Sequence, residues 1–370
     1  MSMTSDEMPL FVGIVNMSTG DGKNEGNSSL GAGPGDDEDI GDPVSTVKVI
    51  ITVLFTLVFL VGVLGNILVI VAATGRLRGL QKSMSVFILN LSVADLLYLL
   101  ICLPFQATII TLPSWIFGGF MCKIVQFLTY VSMCASIFTL VAMSMDRYFA
   151  VAYPLKFFGV RTLKNSISII VLIWVLAVGC SAPFLHVFLI HTIEDGDGVV
   201  LSYCVEWGWN NRTQRKRYYA FLFAACYMVP LLLMILSYVL ILRTLWRTFK
   251  PNSEDTDSSS NKAKKKVTMI VSVVVLAFGI CWLPHHVMYM WINFGKFPLT
   301  DGTLALKMMA VTLSSLNSSL NPIIYSIMSE NFRQALKRCI ARCTSSRERT
   351  KVVPRHYRLK LLRSKRSFHV

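Results

Sequence analysis

The sequence predicts an all-α membrane protein, a seven-transmembrane helix bundle, and composition, apolar runs and loop charges all support this. Of the 370 residues, 54% are hydrophobic and 15% are charged, a balance too apolar for a soluble protein. Seven apolar runs each reach the roughly 20 residues needed to cross the hydrocarbon of a bilayer. They are residues 49–73, 84–112, 124–145, 166–190, 218–242, 267–294 and 308–329. Together they predict one transmembrane domain over residues 48–328.

The loop charges orient the bundle. The first 47 residues carry nine acids and one Lys, whereas the links after the first, third and fifth runs are basic. Because Lys and Arg accumulate on the cytoplasmic side, the N-terminus is predicted to be extracellular. The net charge of +15 follows from this asymmetry and does not indicate binding of nucleic acid. One basic string, "RKR" from Arg215 to Arg217, falls outside; it either snorkels or contacts an acidic ligand or loop.

The N-terminal segment, residues 1–47, is acidic and partly Gly-rich, which is typical of a disordered chain. N-x-S/T sequons at Asn16 and Asn27 predict that it is glycosylated, and Asn211 provides a third sequon on the predicted outer side.

The segment after the seventh run, "SENFRQALKRCIARC" at residues 329–343, has apolar residues spaced by three and four. This spacing predicts a short amphipathic eighth helix on the inner membrane surface. Cys339 and Cys343 on the same stripe are candidates for palmitoylation. The alternative is a disordered basic tail throughout, as predicted for residues 344–370.

Two cysteines fall on the predicted outer side. Cys122 lies at the outer end of the third run, and Cys204 lies in the loop between the fourth and fifth runs. Because both face an oxidising compartment, they are predicted to form a disulfide.

Inside the runs, Asp95 is the one deeply placed acid, so it is predicted to face the bundle interior and to need polar partners or an ion. Five prolines inside the runs are predicted to kink their helices because each removes a backbone hydrogen bond. They are Pro104, Pro183, Pro230, Pro284 and Pro322.

Short motifs follow one another, one group per run. They are "GN" at Gly65, "LSVAD" ending at Asp95, "DRY" from Asp146 to Tyr148, Trp174, Pro230 with Tyr238, "FGICWLP" at residues 278–284 and "NPIIY" at residues 321–325. In this order the sequence resembles the rhodopsin-like G-protein-coupled receptors over about residues 45–345. The resemblance implies a receptor that performs no chemistry, and we find no Walker loop, HExxH or Ser-His-Asp arrangement.

The resemblance also implies an activation set: Asp146, Arg147, Tyr148, Tyr238, Trp282, Pro322 and Tyr325. Asp146 and Arg147 are expected to pair at the cytoplasmic end of the third helix, where pairing and snorkelling limit the desolvation cost. On activation Arg147 is expected to leave and to pack against a helix of a heterotrimeric G protein.

A sodium site is implied in the same way. Residues that surround sodium in related receptors correspond here to Asp95, Ser136, Asn317, Ser318 and Asn321. Oxygen ligands around one carboxylate suit a small monovalent cation, which would be an allosteric ion. The alternative is a dry or water-filled polar network.

The ligand is predicted to be a peptide. Amine receptors carry an Asp where this chain has Thr129, and the seventh run has no Lys for a retinal Schiff base. Candidate ligand-binding residues are Gln106, Thr129, Glu206, His285, His286 and Tyr289. A polar and aromatic mouth of this kind suits a peptide. His285 and His286 cannot face the same way on a helix, so each can contact ligand or pack near Trp282.

The strings "CWLPHH" and "SENFR" are similar to those of galanin and allatostatin-A receptors. This implies a neuropeptide receptor of the plasma membrane that couples to Gi/o, with Gq as a further option, and that binds arrestin. Tyr289 and Asn293 depart from the galanin pattern, so a related peptide is expected in place of galanin. The alternatives are a somatostatin- or opioid-like receptor, or an ion transporter with Asp95 on its path.

Overall fold

The computed structural model describes residues 43–74, 82–157, 159–194, 198–248, 258–298 and 300–328, together with 333, 334 and 337. Sequons Asn16 and Asn27 and the cysteines Cys339 and Cys343 lie outside the described residues. In the predicted eighth helix only Arg333, Gln334 and Lys337 are described, and all three are helical. The eighth helix therefore stays a prediction.

The described residues form seven long helices. We number them α1 (Pro43–Thr74), α2 (Lys82–Leu97 and Leu103–Thr111), α3 (Gly118–Ala152), α4 (Leu163–Ser181), α5 (Arg212–Phe223 and Val229–Thr248), α6 (Ser258–Phe294) and α7 (Asp301–Met328). By length and composition, α1 to α6 each contain a stretch able to cross a membrane. In α7 the buried Ser and Asn side chains lower the hydropathy, although the helix runs for 28 residues. The predicted bundle of seven helices is confirmed.

The helices differ in how much of their apolar stretch is buried inside the protein. In the apolar stretch of α3, 67% is buried inside the protein, compared with 22% in that of α4. The remaining surface of α4 is apolar, with exposed residues such as Val171, Leu172 and Val175, as expected for a helix that faces lipid. Residues of α3 therefore have neighbours on several helices, and α3 contributes to the candidate site along its whole length.

The prolines distort the helices in different ways. A π-helical turn at Tyr98–Cys102 comes just before Pro104, and another at Ala224–Met228 comes just before Pro230. Such wide turns absorb the clash of the proline ring with the preceding turn. Helix α4 ends at Ser181, and Pro183 begins a single turn at Phe184–Val187. Pro284 and Pro322 lie inside α6 and α7.

The fourth apolar run is shorter as a helix than the sequence indicated. The run was predicted to be helical to residue 190, but its last three residues, 188–190, belong to strand β1 (Phe188–Glu194). This strand pairs antiparallel with β2 (Val200–Glu206), with Phe188 opposite Glu206. Apolarity alone did not separate these residues from the helix, because the hairpin is also partly buried over the bundle.

The disulfide between Cys122 and Cys204 is confirmed, with a Cα–Cα distance of 5.5 Å. It joins β2 to the outer end of α3. The backbone N–H of Trp115 also donates to the carbonyl of Ser202 at 2.7 Å, which ties the loop before α3 to the same strand. The hairpin is thus fixed at the end of the bundle where α3 begins.

Close packing joins α1 to α7. A Cβ atom at Gly65 would lie 2.7 Å from the Pro322 ring, so only glycine allows this approach. Asn66 donates to the carbonyl of Ser318 at 2.9 Å, and Ser319 donates to the carbonyl of Val58 at 2.9 Å. These contacts place the polar face of α7 toward the interior.

Candidate functional site

Polar side chains lie in the interior of the bundle at three levels. We call outer the end that carries the hairpin, inner the end that carries the loop between α3 and α4, and middle the level between them. At the outer level, His285 and His286 of α6 point in different directions, as predicted from their adjacency. The His286 ring lies 4.8 Å from Tyr227 of the π-helical turn, and the His285 ring lies 4.6 Å from Tyr289 and 5.4 Å from Trp282, centroid to centroid. His286 therefore packs against the fifth helix, while His285 belongs to the aromatic wall formed by α6.

Three ring nitrogens at this level are buried and have no hydrogen-bond partner within the described part of the chain. They are Nδ1 of His285, Nε2 of His286 and Nε1 of Trp282. Buried polar atoms usually have a partner, so these three nitrogens keep unused hydrogen-bonding capacity.

Other predicted ligand residues are engaged within the protein. Gln106 donates from Nε2 to Oε1 of Gln126 at 3.3 Å, and the Thr129 hydroxyl donates to the carbonyl of Val125 at 2.8 Å. Thr129 consequently offers only lone pairs to a ligand. The Tyr289 ring stacks on Tyr219 of α5 at 5.2 Å.

Glu206, at the end of β2, is the centre of a cluster that the sequence indicated only in part. Its carboxylate accepts hydrogen bonds from the Trp209 indole and from the Tyr219 hydroxyl at 2.9 Å. Arg215 of α5 lies 3.6 Å from it, so of the two alternatives for the "RKR" string the structure shows contact with an acidic loop residue at Arg215. Lys307 of α7 was not singled out from the sequence, and it lies near enough to act electrostatically on Glu206.

Burial raises the pKa of the Glu206 carboxyl above its usual range, and the neighbouring cations and donors oppose this rise only in part. The contacts of Glu206 with Tyr219 and Arg215 hold the hairpin against α5, and its side chain is 12% exposed.

At the middle level, Asp95 is fully buried in α2, as predicted. Its Oδ1 accepts from the Ser136 hydroxyl at 3.1 Å, and its Oδ2 accepts from Nδ2 of Asn321 at 2.8 Å. The Ser318 side chain also lies near this carboxylate. Asn317 is buried beside Ser318 but does not hydrogen-bond to Asp95 in the described part of the chain. The structure thus brings four of the five predicted sodium residues together.

The donor set at Asp95 fits a small hard cation. The carboxylate lies against the Ser136 hydroxyl and against the side-chain amide of Asn321, which presents its Nδ2 to it, and the described residues contain no group of three or more His, Cys, Asp or Glu that could bind a metal ion. Transition metals prefer imidazole or thiolate ligands, which this level lacks.

At the inner level, Asp146 and Arg147 form the predicted pair, with Nη2 of Arg147 donating to Oδ2 of Asp146 at 2.6 Å. A second guanidinium, that of Arg161 in the loop before α4, binds the same carboxylate through Nε and Nη2, both at 2.9 Å. This contact could not be predicted from the sequence, because fourteen intervening residues separate the partners and only the folded loop brings them together.

The three tyrosines of the predicted activation set have different surroundings. Tyr325 is buried, and its side chain shares a narrow apolar gap with Leu140, Met143, Val274 and Val275. Tyr238 and Tyr148 are half-buried, and the Tyr148 ring lies 5.9 Å from Tyr153. The sequence did not single out Leu155, which is 91% exposed in the turn after α3.

Comparison with known proteins agrees with this arrangement. Residues 65–325 match the family model described as 7 transmembrane receptor (rhodopsin family). The chain is similar to galanin receptor type 1 of Mus musculus, with 42% identity over 77% of this chain and 80% of the relative. It is similar to galanin receptor type 1 of Homo sapiens, with 39% identity over 85% and 88%. Galanin receptor 2a of Danio rerio is 40% identical over 79% and 78%.

Proposed function

Because this chain belongs to the rhodopsin family of seven-transmembrane receptors, we propose that it is a neuropeptide receptor of the galanin-receptor type. Members of this family are multi-pass membrane receptors that signal through G proteins and are not enzymes. The observation that carries the peptide assignment is the similarity to galanin receptors over more than three quarters of the chain. Somatostatin- or opioid-like ligands and ion transport are not favoured by it.

The chemistry of the outer level supports a peptide. Unpaired ring nitrogens of His285, His286 and Trp282 offer hydrogen bonds to amides, and the Tyr219–Tyr289 stack offers aromatic contact. Thr129 replaces the acid that a small amine would need. Tyr289 and Asn293 favour a peptide related to galanin over galanin itself.

A peptide screen tests this assignment. Cells expressing the chain are exposed to galanin, allatostatin-A-type, somatostatin and opioid peptides, with Gi, Go and Gq biosensors read in parallel. We expect a response to a galanin- or allatostatin-type peptide through Gi/o. A response confined to opioid or somatostatin peptides would contradict the assignment, and a Gq response alone would revise the coupling.

We propose that Arg147, Tyr238 and Tyr325 receive the G protein once Arg147 leaves Asp146, and that the exposed Leu155 packs into the same partner. Without such a partner, the apolar side chain of Leu155 stays exposed to water. Arrestin is proposed to use the same inner surface. Leu155→Ala should lower peptide-stimulated exchange while peptide binding without G protein stays unchanged.

We propose further that sodium binds beside Asp95 and stabilises the inactive state. Asp95, Ser136, Ser318 and Asn321 would hold the ion, which supplies a positive charge to the buried carboxylate. Replacing sodium with N-methylglucamine at constant ionic strength should raise the affinity of the activating peptide, and Asp95→Asn should remove this dependence. A sodium effect that persists in Asp95→Asn would place the ion elsewhere.

The topology proposal has the N-terminus outside, glycans on Asn16, Asn27 and Asn211, and palmitate on Cys339 or Cys343. Asn211 is exposed and caps the start of α5 through its side-chain oxygen at 2.8 Å from the Gln214 N–H. Endoglycosidase treatment should shift the wild type and leave the triple Asn→Gln variant unshifted. Acyl exchange should label the wild type and fail on the Cys339/Cys343 double variant.

A further inference from the structure

The Asp146 carboxylate has more partners than a pair with Arg147 requires. Its side chain is 7% exposed, and it accepts hydrogen bonds from Arg147, from Arg161 and from the Ser83 hydroxyl at 3.1 Å. Arg147 contributes a single contact, whereas Arg161 binds both carboxylate oxygens. The group that is expected to leave on activation is therefore the less firmly bound of the two arginines.

Arg161 is held by a part of the chain other than the one that carries Arg147. Its backbone N–H donates to the carbonyl of Phe157 at 3.1 Å, and the next residue, Thr162, caps α4 through a 3.3 Å bond from the Asn165 N–H. Ser83 of α2 contacts the Ser166 hydroxyl of α4 at 2.8 Å. The carboxylate is thus anchored to α2 and to the loop before α4, independently of Arg147.

Departure of Arg147 has a specific electrostatic consequence. A buried carboxylate that loses its cation is strongly destabilised, because neither water nor a neighbour compensates the charge. A planar guanidinium that binds both oxygens compensates it well. The Nε of Arg147 is buried with no hydrogen-bond partner within the described residues, so the contact with Asp146 leaves part of this guanidinium unsatisfied.

We propose that Arg161 is a positioning residue for coupling: it keeps Asp146 paired when Arg147 moves to the G protein, and so stabilises the coupled state. This inference rests on the proposed function, because it assumes that Arg147 leaves Asp146 on activation. Arg161 then does not act as a second restraint that stabilises the inactive receptor. Its contact lowers the barrier that the buried charge of Asp146 would otherwise impose on the release of Arg147.

The test uses the full chain in nanodiscs and nucleotide-free Gi heterotrimer as the probe, with Gq as a second probe. Arg161→Gln should weaken heterotrimer binding at least about tenfold, because the coupled state then contains an unpaired buried carboxylate. Arg161→Lys, which keeps the charge and loses the fork, should recover part of the affinity. The matched control is Lys164→Gln: Lys164 is exposed at the start of α4 and forms no ion pair among the described residues.

The decisive arm repeats Arg161→Gln in an Asp146→Asn background. With no carboxylate to leave unpaired, the second substitution should change heterotrimer affinity by less than about twofold. An equal loss in both backgrounds would show that Arg161 acts through the loop, and tighter binding by Arg161→Gln would show that it restrains the inactive state; either result overturns the proposal. A wild type that binds neither heterotrimer would overturn the proposed function and this inference together, before any variant is compared.

Discussion

Glu206 at the outer end of the bundle and Asp146 at the inner end are both buried carboxylates beside an arginine, but their partners differ. Glu206 accepts from two neutral donors, Trp209 and Tyr219, and Arg215 lies at 3.6 Å. Asp146 accepts from two guanidinium groups at 2.6 to 2.9 Å. The outer cluster joins one hairpin to one helix. The inner cluster contains two arginines for a single carboxylate.

This difference indicates different tasks. An aromatic cluster on a disulfide-bonded hairpin maintains one arrangement of the outer opening. A carboxylate shared by two arginines allows two arrangements with similar pairing, so it permits a transition between states. A buried carboxylate with arginine therefore stabilises one arrangement at the outer end and allows the carboxylate to change partners at the inner end.

The largest expected effect comes from removing the bond that holds the outer cluster. Cys122→Ser, Cys204→Ser and the double variant should each lower surface expression and peptide potency to the same degree, because a native disulfide contributes about 2–5 kcal/mol. Flow cytometry and dose–response curves measure this. Additive losses in the double variant would argue against one shared bond.

Neutralising the inner carboxylate should have the next largest effect. Asp146→Asn removes the charge that holds Arg147 and should raise basal nucleotide exchange severalfold. The measurement is agonist-free exchange at matched receptor density. An unchanged basal rate would mean that Asp146 does not restrain Arg147, and the contrast between the two ends would fail.

The isosteric change Glu206→Gln at the outer end should alter peptide binding instead of basal exchange. Glu206→Gln leaves the Arg215 charge without its partner and should weaken peptide binding roughly tenfold, an effect on the order of 1.4 kcal/mol, with basal exchange unchanged. Radioligand competition and agonist-free exchange separate the two effects. A rise in basal exchange would show that the outer cluster also controls the inactive state.

The raised pKa of Glu206 gives the outer cluster a pH dependence. Because the folded state holds this proton more tightly than the unfolded state, stability should fall as pH rises from the ordinary value of 4.5 through the raised pKa. Thermal melts of the receptor in this window should show the slope. Glu206→Gln should flatten it, whereas an identical slope in that variant would assign the titration to another group.

The smallest expected effect concerns one hydroxyl. Tyr219→Phe removes the hydrogen bond to Glu206 and keeps the ring stacked on Tyr289, so it should reduce stability by about 1 kcal/mol. Tyr289→Phe, which leaves that hydrogen bond intact, is the matched control. Equal losses in the two variants would show that the hydrogen bond to Glu206 gives the Tyr219 hydroxyl no special contribution to stability.

Several features followed from local sequence alone. Run length and loop charge predicted the helices, because a span must bury roughly 20 residues in hydrocarbon whatever its neighbours are. The Cys122–Cys204 disulfide was predicted because both cysteines were expected to face the same oxidising compartment. The isolation of Asp95 among apolar residues predicted a buried polar site, since an intramembrane carboxylate requires partners.

Other features depended on which segments meet in space. The sequence could not show that Arg161 binds Asp146, that Lys307 lies near Glu206, or that residues 188–190 leave the fourth helix for a strand. Hydropathy and motif reading describe each segment by itself. The sequence by itself determined the spans, their order and the level of each polar group; only the tertiary structure decided the partners of each charge, because pairing depends on distances of a few ångströms between segments remote in the chain.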